Sequence, residues 1–137
     1  MPHIWVEYSA NLSDALNVPR LLQTVQDAVI DDGSIFPFAG ARTRAVPVEN
    51  YLIVDGHPDN GFVHVLVKIG PGRSDAEKSA LGERVFGALG DYLDPLMAQR
   101  PLGISLQIEE AHPQFNYKLN NYRDYLKARA GQRSDDA

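Results

Sequence analysis

Cysteine is absent from this chain of 137 residues, and that absence excludes several kinds of protein at once. Without thiols there is no disulfide scaffold, no thiolate metal ligand and no cysteine nucleophile, which fits either a reducing compartment or a protein that is indifferent to redox conditions. Long hydrophobic runs are also lacking, because the uncharged stretches contain glycine and proline and are too short to cross a membrane. The first residues lack the basic and apolar regions of a signal peptide. These absences predict a soluble, cytoplasmic protein.

Positive charge is scarce as well, since 18 acidic residues outnumber 13 basic ones and the net charge is −5. Domains that bind nucleic acid usually carry a basic surface and a high pI, so nucleic acid is not an expected partner. A membrane is not expected either, because no uncharged stretch is long enough to span it. A charged fraction of 23% and an apolar fraction of 44% are ordinary for a globular protein. We expect one domain over residues 1–130 and a flexible tail over residues 131–137.

Hydrophobic periodicity predicts the order strand, helix, strand, strand, helix, strand, followed by a short helix over about 119–130. Alternating residues indicate strands at 2–8, 41–54, 62–69 and 102–109, and helical spacing indicates helices at about 19–31 and from 75 into the nineties. Ser74 and Glu77 have the spacing of a capping box before the second helix. Two β-α-β units predict an α/β (α+β) fold with a four-stranded sheet and both helices on one face. The uncovered face predicts self-association with cyclic symmetry.

Pro2 is the first candidate catalytic residue. If Met1 is removed, Pro2 becomes a secondary amine at the chain terminus, and such an amine is both a base and a nucleophile. A general base needs a pKa near the working pH. Burial and nearby cations both disfavour the protonated form of an amine and so lower its pKa toward that range. The structural alternative is that a proline at position 2 is incidental.

Three arginines are candidate ligands for anions. Arg42 and Arg44 are two residues apart on a predicted strand and so share a face. Arg73 lies on a glycine-rich turn before a helix N-terminus, where anions are favoured. Guanidinium groups gathered at one place would bind carboxylates or phosphates. The alternative is that all three form ordinary surface ion pairs.

Other side chains offer weaker signals. The four histidines lack a compact ligand spacing, so no metal site is expected. His64 is expected to be a hydrogen-bonded interior residue, and adjacent Glu109 and Glu110 should point to opposite faces of their strand. The segment from Gly70 to Ser74 lacks the ending of a phosphate-binding loop.

Four blocks of sequence, taken together, resemble the isomerases that act on 5-carboxymethyl-2-hydroxymuconate, within the tautomerase superfamily. The blocks are Met1-Pro2-His3; residues 36–44, FPFAGARTR; Phe62-Val63-His64 with residues 68–74, KIGPGRS; and residues 108–113, IEEAHP, followed by Asn116, Lys118, Asn120 and Asn121. The resemblance covers about residues 2–127.

This resemblance implies a homotrimer with an active site near the subunit boundary and no cofactor or metal. It implies that the Pro2 amine moves a proton between positions of a dienol, and that Arg42, Arg44 and Arg73 bind the substrate carboxylates. His3, Phe36 and Phe38 are expected to form the pocket wall. Because the second half begins inside the chain at Phe62, one site per subunit is expected. Another keto-enol tautomerase with a phenylpyruvate-like substrate, a non-catalytic trimer that binds an anion or a protein, and a purely structural module remain open alternatives.

Overall fold

The computed structural model describes residues 2–136, with side chains described as far as Gly131. Two 3-10 turns, Ala10–Leu12 and Phe38–Gly40, join longer elements. The strands are β1 (His3–Ser9), β2 (Arg42–Val48), β3 (Gly61–Ile69) and β4 (Leu102–Glu110), and the helices are α1 (Val18–Ile30), α2 (Asp75–Met97) and α3 (Tyr122–Asp136).

The four strands form one mixed sheet in the order β2-β1-β3-β4. Strands β1 and β2 are parallel, as are β3 and β4, whereas the central pair β1 and β3 is antiparallel, with His3 opposite Lys68. Each parallel pair is joined by a helix, as a crossover between parallel strands requires. This arrangement confirms the predicted fold of two β-α-β units.

One face of the sheet packs against the helices and forms the core. Ile4, Val6, Val65 and Val67 are 0% exposed, because alternate residues of β1 and β3 point to this face. Leucines and valines of α1 and α2 cover them, and α1 packs against α2. Strand β1 places Trp5 on the opposite face, which points away from α1 and α2 and the core. The predicted division into a buried and an open face is therefore confirmed.

Two element boundaries differ from the sequence prediction. Strand β2 ends at Val48 rather than at residue 54, because its partner β1 ends at Ser9, opposite Val48, and turns away. Helix α3 begins at Tyr122 rather than near 119, and Asn120 Oδ1 accepts a hydrogen bond from the Tyr122 N–H.

The C-terminal end of α3 also differs, because the helix continues to Asp136 past the predicted end at residue 130. The side chains after Gly131, and all of residue 137, lie outside the described part of the chain, so the flexibility of residues 131–137 stays a prediction. Among the described residues, no helix is both long enough and apolar enough to span a bilayer.

A glycine-rich turn connects β3 to α2 and places Arg73. Gly72 has φ of +102°, which glycine adopts without strain. Gly70 is buried, and a Cβ there would lie 3.1 Å from Arg73 Nη1. The capping box then fixes the start of α2, with Ser74 N–H donating to Glu77 Oε1 at 3.0 Å and Glu77 N–H donating to Ser74 Oγ at 3.1 Å.

Replacing Ser74 by alanine should destabilise the protein by about 1 kcal/mol, because one helical N–H loses its acceptor. The midpoint of urea unfolding at an unchanged m-value measures this loss. Ser79→Ala, the same chemical change on an exposed turn of α2, is the matched control and should leave the midpoint nearly unchanged. Equal midpoints for the two variants would show that the cap contributes nothing.

Candidate active site

The strand directions bring four chain segments together at one edge of the sheet. Because β1 runs antiparallel to β3, the residues that begin β1 and β2 lie beside the residues that end β3 and β4. Pro2 is buried at this edge, and its carbonyl accepts a hydrogen bond from the Arg42 N–H at 3.1 Å. Gly70 and Ala111 directly follow β3 and β4, and the Ala111 N–H donates to the Ile69 carbonyl.

Two neighbouring cavities open at this edge. The smaller cavity, of about 260 Å³, lies between the start of β1, the end of β3 and the chain after β4. The larger cavity, of about 650 Å³, lies between the segment around Gly40, Arg73 and the chain that leads into α3. Lys118 lines both cavities and therefore lies between them.

Basic side chains predominate around both cavities. His3, Lys68, His112 and Lys118 line the smaller one. Arg73, Lys118 and Arg123 line the larger one, with Asp124 as the carboxylate present. In a protein with a net charge of −5, this local excess of cations favours binding of an anion with more than one negative group.

Arg73 is held in place at the wall of the larger cavity. Its guanidinium donates to the Gly70 carbonyl at 3.1 Å and to the Ile35 carbonyl at 3.2 Å, and it lies 4.8 Å from the centre of the Phe36 ring. These contacts use part of its five N–H donors and leave the others for a ligand. Arg73 therefore has the geometry of a preorganised carboxylate-binding group.

Arg42 and Arg44 lie on the open face of the sheet, as their spacing predicts. Arg42 donates to the Gly40 carbonyl at 2.9 Å and lies 4.8 Å from the centre of the Tyr122 ring. This places Arg42 next to the larger cavity, which Gly40 lines. Arg44 is instead directed at β1, with its guanidinium carbon 3.9 Å from the centre of the Trp5 ring and Nη1 2.9 Å from His3 Nδ1.

The residues predicted as pocket walls have different environments. His3 lines the smaller cavity. Phe36 belongs to the hydrophobic core, with 2% of its surface exposed, and its ring packs against the Arg73 guanidinium. Phe38 exposes 59% of its surface. Neither phenylalanine nor Pro2 is among the residues that line the two cavities, so these three site assignments stay predictions.

Several basic and polar groups of this edge were missing from the predicted site. Lys68 lies directly opposite His3, and only the strand pairing reveals that relation. His112 and Lys118 belong to the fourth block of sequence that carries the resemblance. The sequence therefore did contain a signal that could have identified these two residues. His64, predicted to be hydrogen-bonded, does bond to Ser105 Oγ at 2.6 Å, but it is half-buried on the open face.

The carboxylates and histidines of this region do not form a metal-binding group. Among the side chains described, residues 2–131, no cluster of three or more histidine, aspartate or glutamate residues could hold a metal ion. Glu110, at the end of β4, pairs with Lys78 Nζ at 2.6 Å and so ties the strand to the first turns of α2. Its carboxylate serves the fold rather than the cavities.

Comparison with known proteins shows the family of this chain. Residues 2–126 match the family model described as 5-carboxymethyl-2-hydroxymuconate isomerase. An Escherichia coli protein named 5-carboxymethyl-2-hydroxymuconate Delta-isomerase is 38% identical over 127 residues, which cover 93% of this chain and all of that protein.

Solved structures give the same result. A 5-carboxymethyl-2-hydroxymuconate isomerase from Deinococcus radiodurans R1 is 34% identical with a TM-score of 0.85, over 91% of this chain and 93% of that one. A crystal structure of a 5-carboxymethyl-2-hydroxymuconate delta-isomerase is 31% identical with a TM-score of 0.83, over 92% and 93% of the two chains. A fused 4-OT asymmetric trimer, 18% identical with a TM-score of 0.58 over 90% and 98%, shares the fold.

These matches confirm the resemblance found in the sequence and the predicted isomerase class. The cationic edge of the sheet lies within the matched residues, from Pro2 to Arg123. The chain belongs to the 5-carboxymethyl-2-hydroxymuconate isomerase family.

Proposed function

We propose that this protein is a cofactor-independent isomerase that converts a 2-hydroxymuconate-type dienol into the unsaturated 2-oxo acid, in the degradation of aromatic compounds in the cytoplasm. The observation that carries the proposal is that Pro2 lies at the same edge of the sheet as a cluster of cations. The name of the E. coli relative describes a substrate with three carboxylates, which suits this charge.

Pro2 would be the group that moves the proton. After removal of Met1, its neutral nitrogen takes the proton of the 2-hydroxyl group, and electrons move from oxygen into the conjugated chain. The protonated nitrogen then returns that proton to a carbon of the dienolate, so that the product is an isomer and the amine is regenerated. The family match begins at this residue, and Pro2 is a buried residue at the same end of the sheet as the basic groups.

The basic groups would bind the carboxylates and stabilise the dienolate. Arg73 is preorganised by its contacts with the Gly70 and Ile35 carbonyls, Lys118 borders both cavities, and Arg42 lies beside the larger one. Cations fixed before the reaction lower the energy of a transition state in which negative charge spreads over an oxygen and a conjugated chain.

Activity should depend on the free nitrogen of Pro2. We expect turnover, followed as the loss of the ultraviolet absorbance of the dienol, to rise in proportion to the fraction of chains without Met1, which mass spectrometry measures. In the processed protein, Pro2→Ala should lower kcat by about 10²- to 10⁴-fold. Full activity of chains that retain Met1 would exclude Pro2 as the base.

Arg73→Met should raise KM by about tenfold or more for a tricarboxylate dienol and much less for a monocarboxylate such as phenylpyruvate. The reason is that the tricarboxylate has additional carboxylates for the Arg73 guanidinium to bind, whereas the monocarboxylate has none. Arg20→Met, which removes an exposed arginine from the start of α1, is the matched control. A wild type that prefers the monocarboxylate would favour the other tautomerase function.

We further propose a homotrimer built through the open face of the sheet. Trp5, Phe62 and Leu66 lie on this face, away from the core, and each is only partly buried. An apolar patch of this kind usually marks an interface. The fused 4-OT structure with the same fold is a trimer.

Sedimentation should therefore give a mass about three times the 15.1 kDa of one chain. Leu66→Glu should dissociate the assembly, because it places a charge at the centre of the open face. Leu52→Glu, at a loop position that is 85% exposed, should leave the mass unchanged. A wild-type protein that sediments as a monomer would contradict the trimer.

A further inference from the structure

The protonation of His3 is fixed by its contact with Arg44. The Arg44 guanidinium has donors and no acceptor, so the 2.9 Å contact between Arg44 Nη1 and His3 Nδ1 requires a lone pair on Nδ1. The imidazole is therefore neutral and carries its proton on Nε2. Burial, then Arg44 and Arg42, lower the pKa of His3 below its usual 6.5, which agrees with a neutral ring.

Trp5 holds both members of this pair. Its ring lies 3.9 Å from the guanidinium carbon of Arg44 and stacks on the His3 ring, with ring centres 5.7 Å apart and 25° between the planes. His3 and Trp5 are two residues apart on β1 and therefore share the open face. Arg44 is thus supported by a cation–π contact as well as by its hydrogen bond. His3, and not Arg44, is among the residues that line the smaller cavity.

A second histidine in the smaller cavity has the same protonation. His112 Nδ1 accepts hydrogen bonds at 3.0 Å from the backbone N–H groups of Gln114 and Phe115. An imidazolium has no acceptor, so this ring is also neutral with its proton on Nε2. The Phe115 ring stacks on it with centres 4.5 Å apart and fixes its orientation.

The charge around these two rings suits an oxygen anion. Lys68 lies opposite His3, and both Lys68 and Lys118 line the same cavity. Ammonium groups attract an anion without strong directionality, whereas an imidazole N–H forms a directed hydrogen bond to one oxygen. Two neutral histidines among cations can therefore select the position of an oxygen as well as its charge.

We propose that His3 and His112 donate hydrogen bonds from Nε2–H to a carboxylate or dienolate oxygen of the substrate in the smaller cavity, and that Arg44 is a positioning residue that fixes the His3 tautomer. This inference rests on the proposed isomerase function. It differs from the sequence prediction, in which Arg44 itself contacts the substrate carboxylate.

Nuclear magnetic resonance of the ligand-free protein labelled with ¹⁵N-histidine tests the tautomers directly. Long-range ¹H–¹⁵N correlations should show the Nε2–H form for His3 and His112, with a pKa of His3 below 6.5. Arg44→Met should raise this pKa and admit the Nδ1–H form at His3, while His112 stays unchanged. An Nδ1–H form of wild-type His3, or a spectrum of His3 that Arg44→Met does not alter, would overturn the inference.

Kinetics test the role of the donor. His3→Leu should lower kcat/KM by about 10- to 100-fold, as expected for loss of a hydrogen bond to a charged group. His3→Gln, which keeps an N–H near the position of Nε2, should restore most of the activity. His57→Leu is the matched control, because His57 lies in the loop at the opposite edge of the sheet, and it should leave kcat/KM unchanged.

The double variant separates positioning from direct contact. If Arg44 acts through His3, Arg44→Met should lower kcat/KM little further in the His3→Leu background. Losses of kcat/KM that add would instead show that Arg44 binds the substrate itself, and they would overturn its assigned role. A wild-type protein without Met1 that has the stated tautomers but does not turn over the dienol would refute the proposed function instead, so the two failures can be told apart.

Discussion

The antiparallel pairing of β1 with β3 is the constraint on which the site depends. Each β-α-β unit by itself has its two strand starts at one end and its two strand ends at the other. Joining the units through an antiparallel pair places the start of the first unit beside the end of the second. Pro2 and His3 therefore meet Lys68 and Gly70, although more than 60 residues separate them in the chain. A parallel central pair would have separated the Pro2 nitrogen from the Lys68 and Arg73 side of the sheet.

The near-symmetry of the two units also creates a second edge, which is used differently. There Asn11 donates to the Pro58 and Asn60 carbonyls, and the Arg100 guanidinium donates to the Asp59 carbonyl. Gly61 lies so close to Leu12 that an added Cβ would be 2.8 Å from Leu12 Cδ2. The polar groups of this edge thus satisfy the backbone of a loop, and Leu12 packs directly against the start of β3. The repeat of architecture is therefore not matched by a repeat of these contacts at the two ends of the sheet.

The sequence predicted the elements whose patterns are local. Alternation in β1 and β3, the helical spacing of α1 and α2 and the capping box at Ser74 all appear in the structure, because each depends on neighbours within a few residues. The end of β2 could not be predicted, since the strand stops where its partner Ser9 turns away rather than where its own residues change. Within the candidate site, the three arginines have the same residue type and were assigned one role. Their contacts differ, with Arg73 at the larger cavity, Arg42 beside it and Arg44 against Trp5 and His3.

The sequence by itself determined the two β-α-β units, the isomerase family and the candidate amine at Pro2, because hydrophobic periodicity and ordered motifs are properties of the chain alone. Only the tertiary structure decided which cations lie beside that amine, how the space between them divides into two cavities, and which imidazole nitrogen holds the proton on His3 and His112. These features depend on contacts between residues far apart in the chain, such as Arg44 with His3, and strand pairing and packing alone create such contacts.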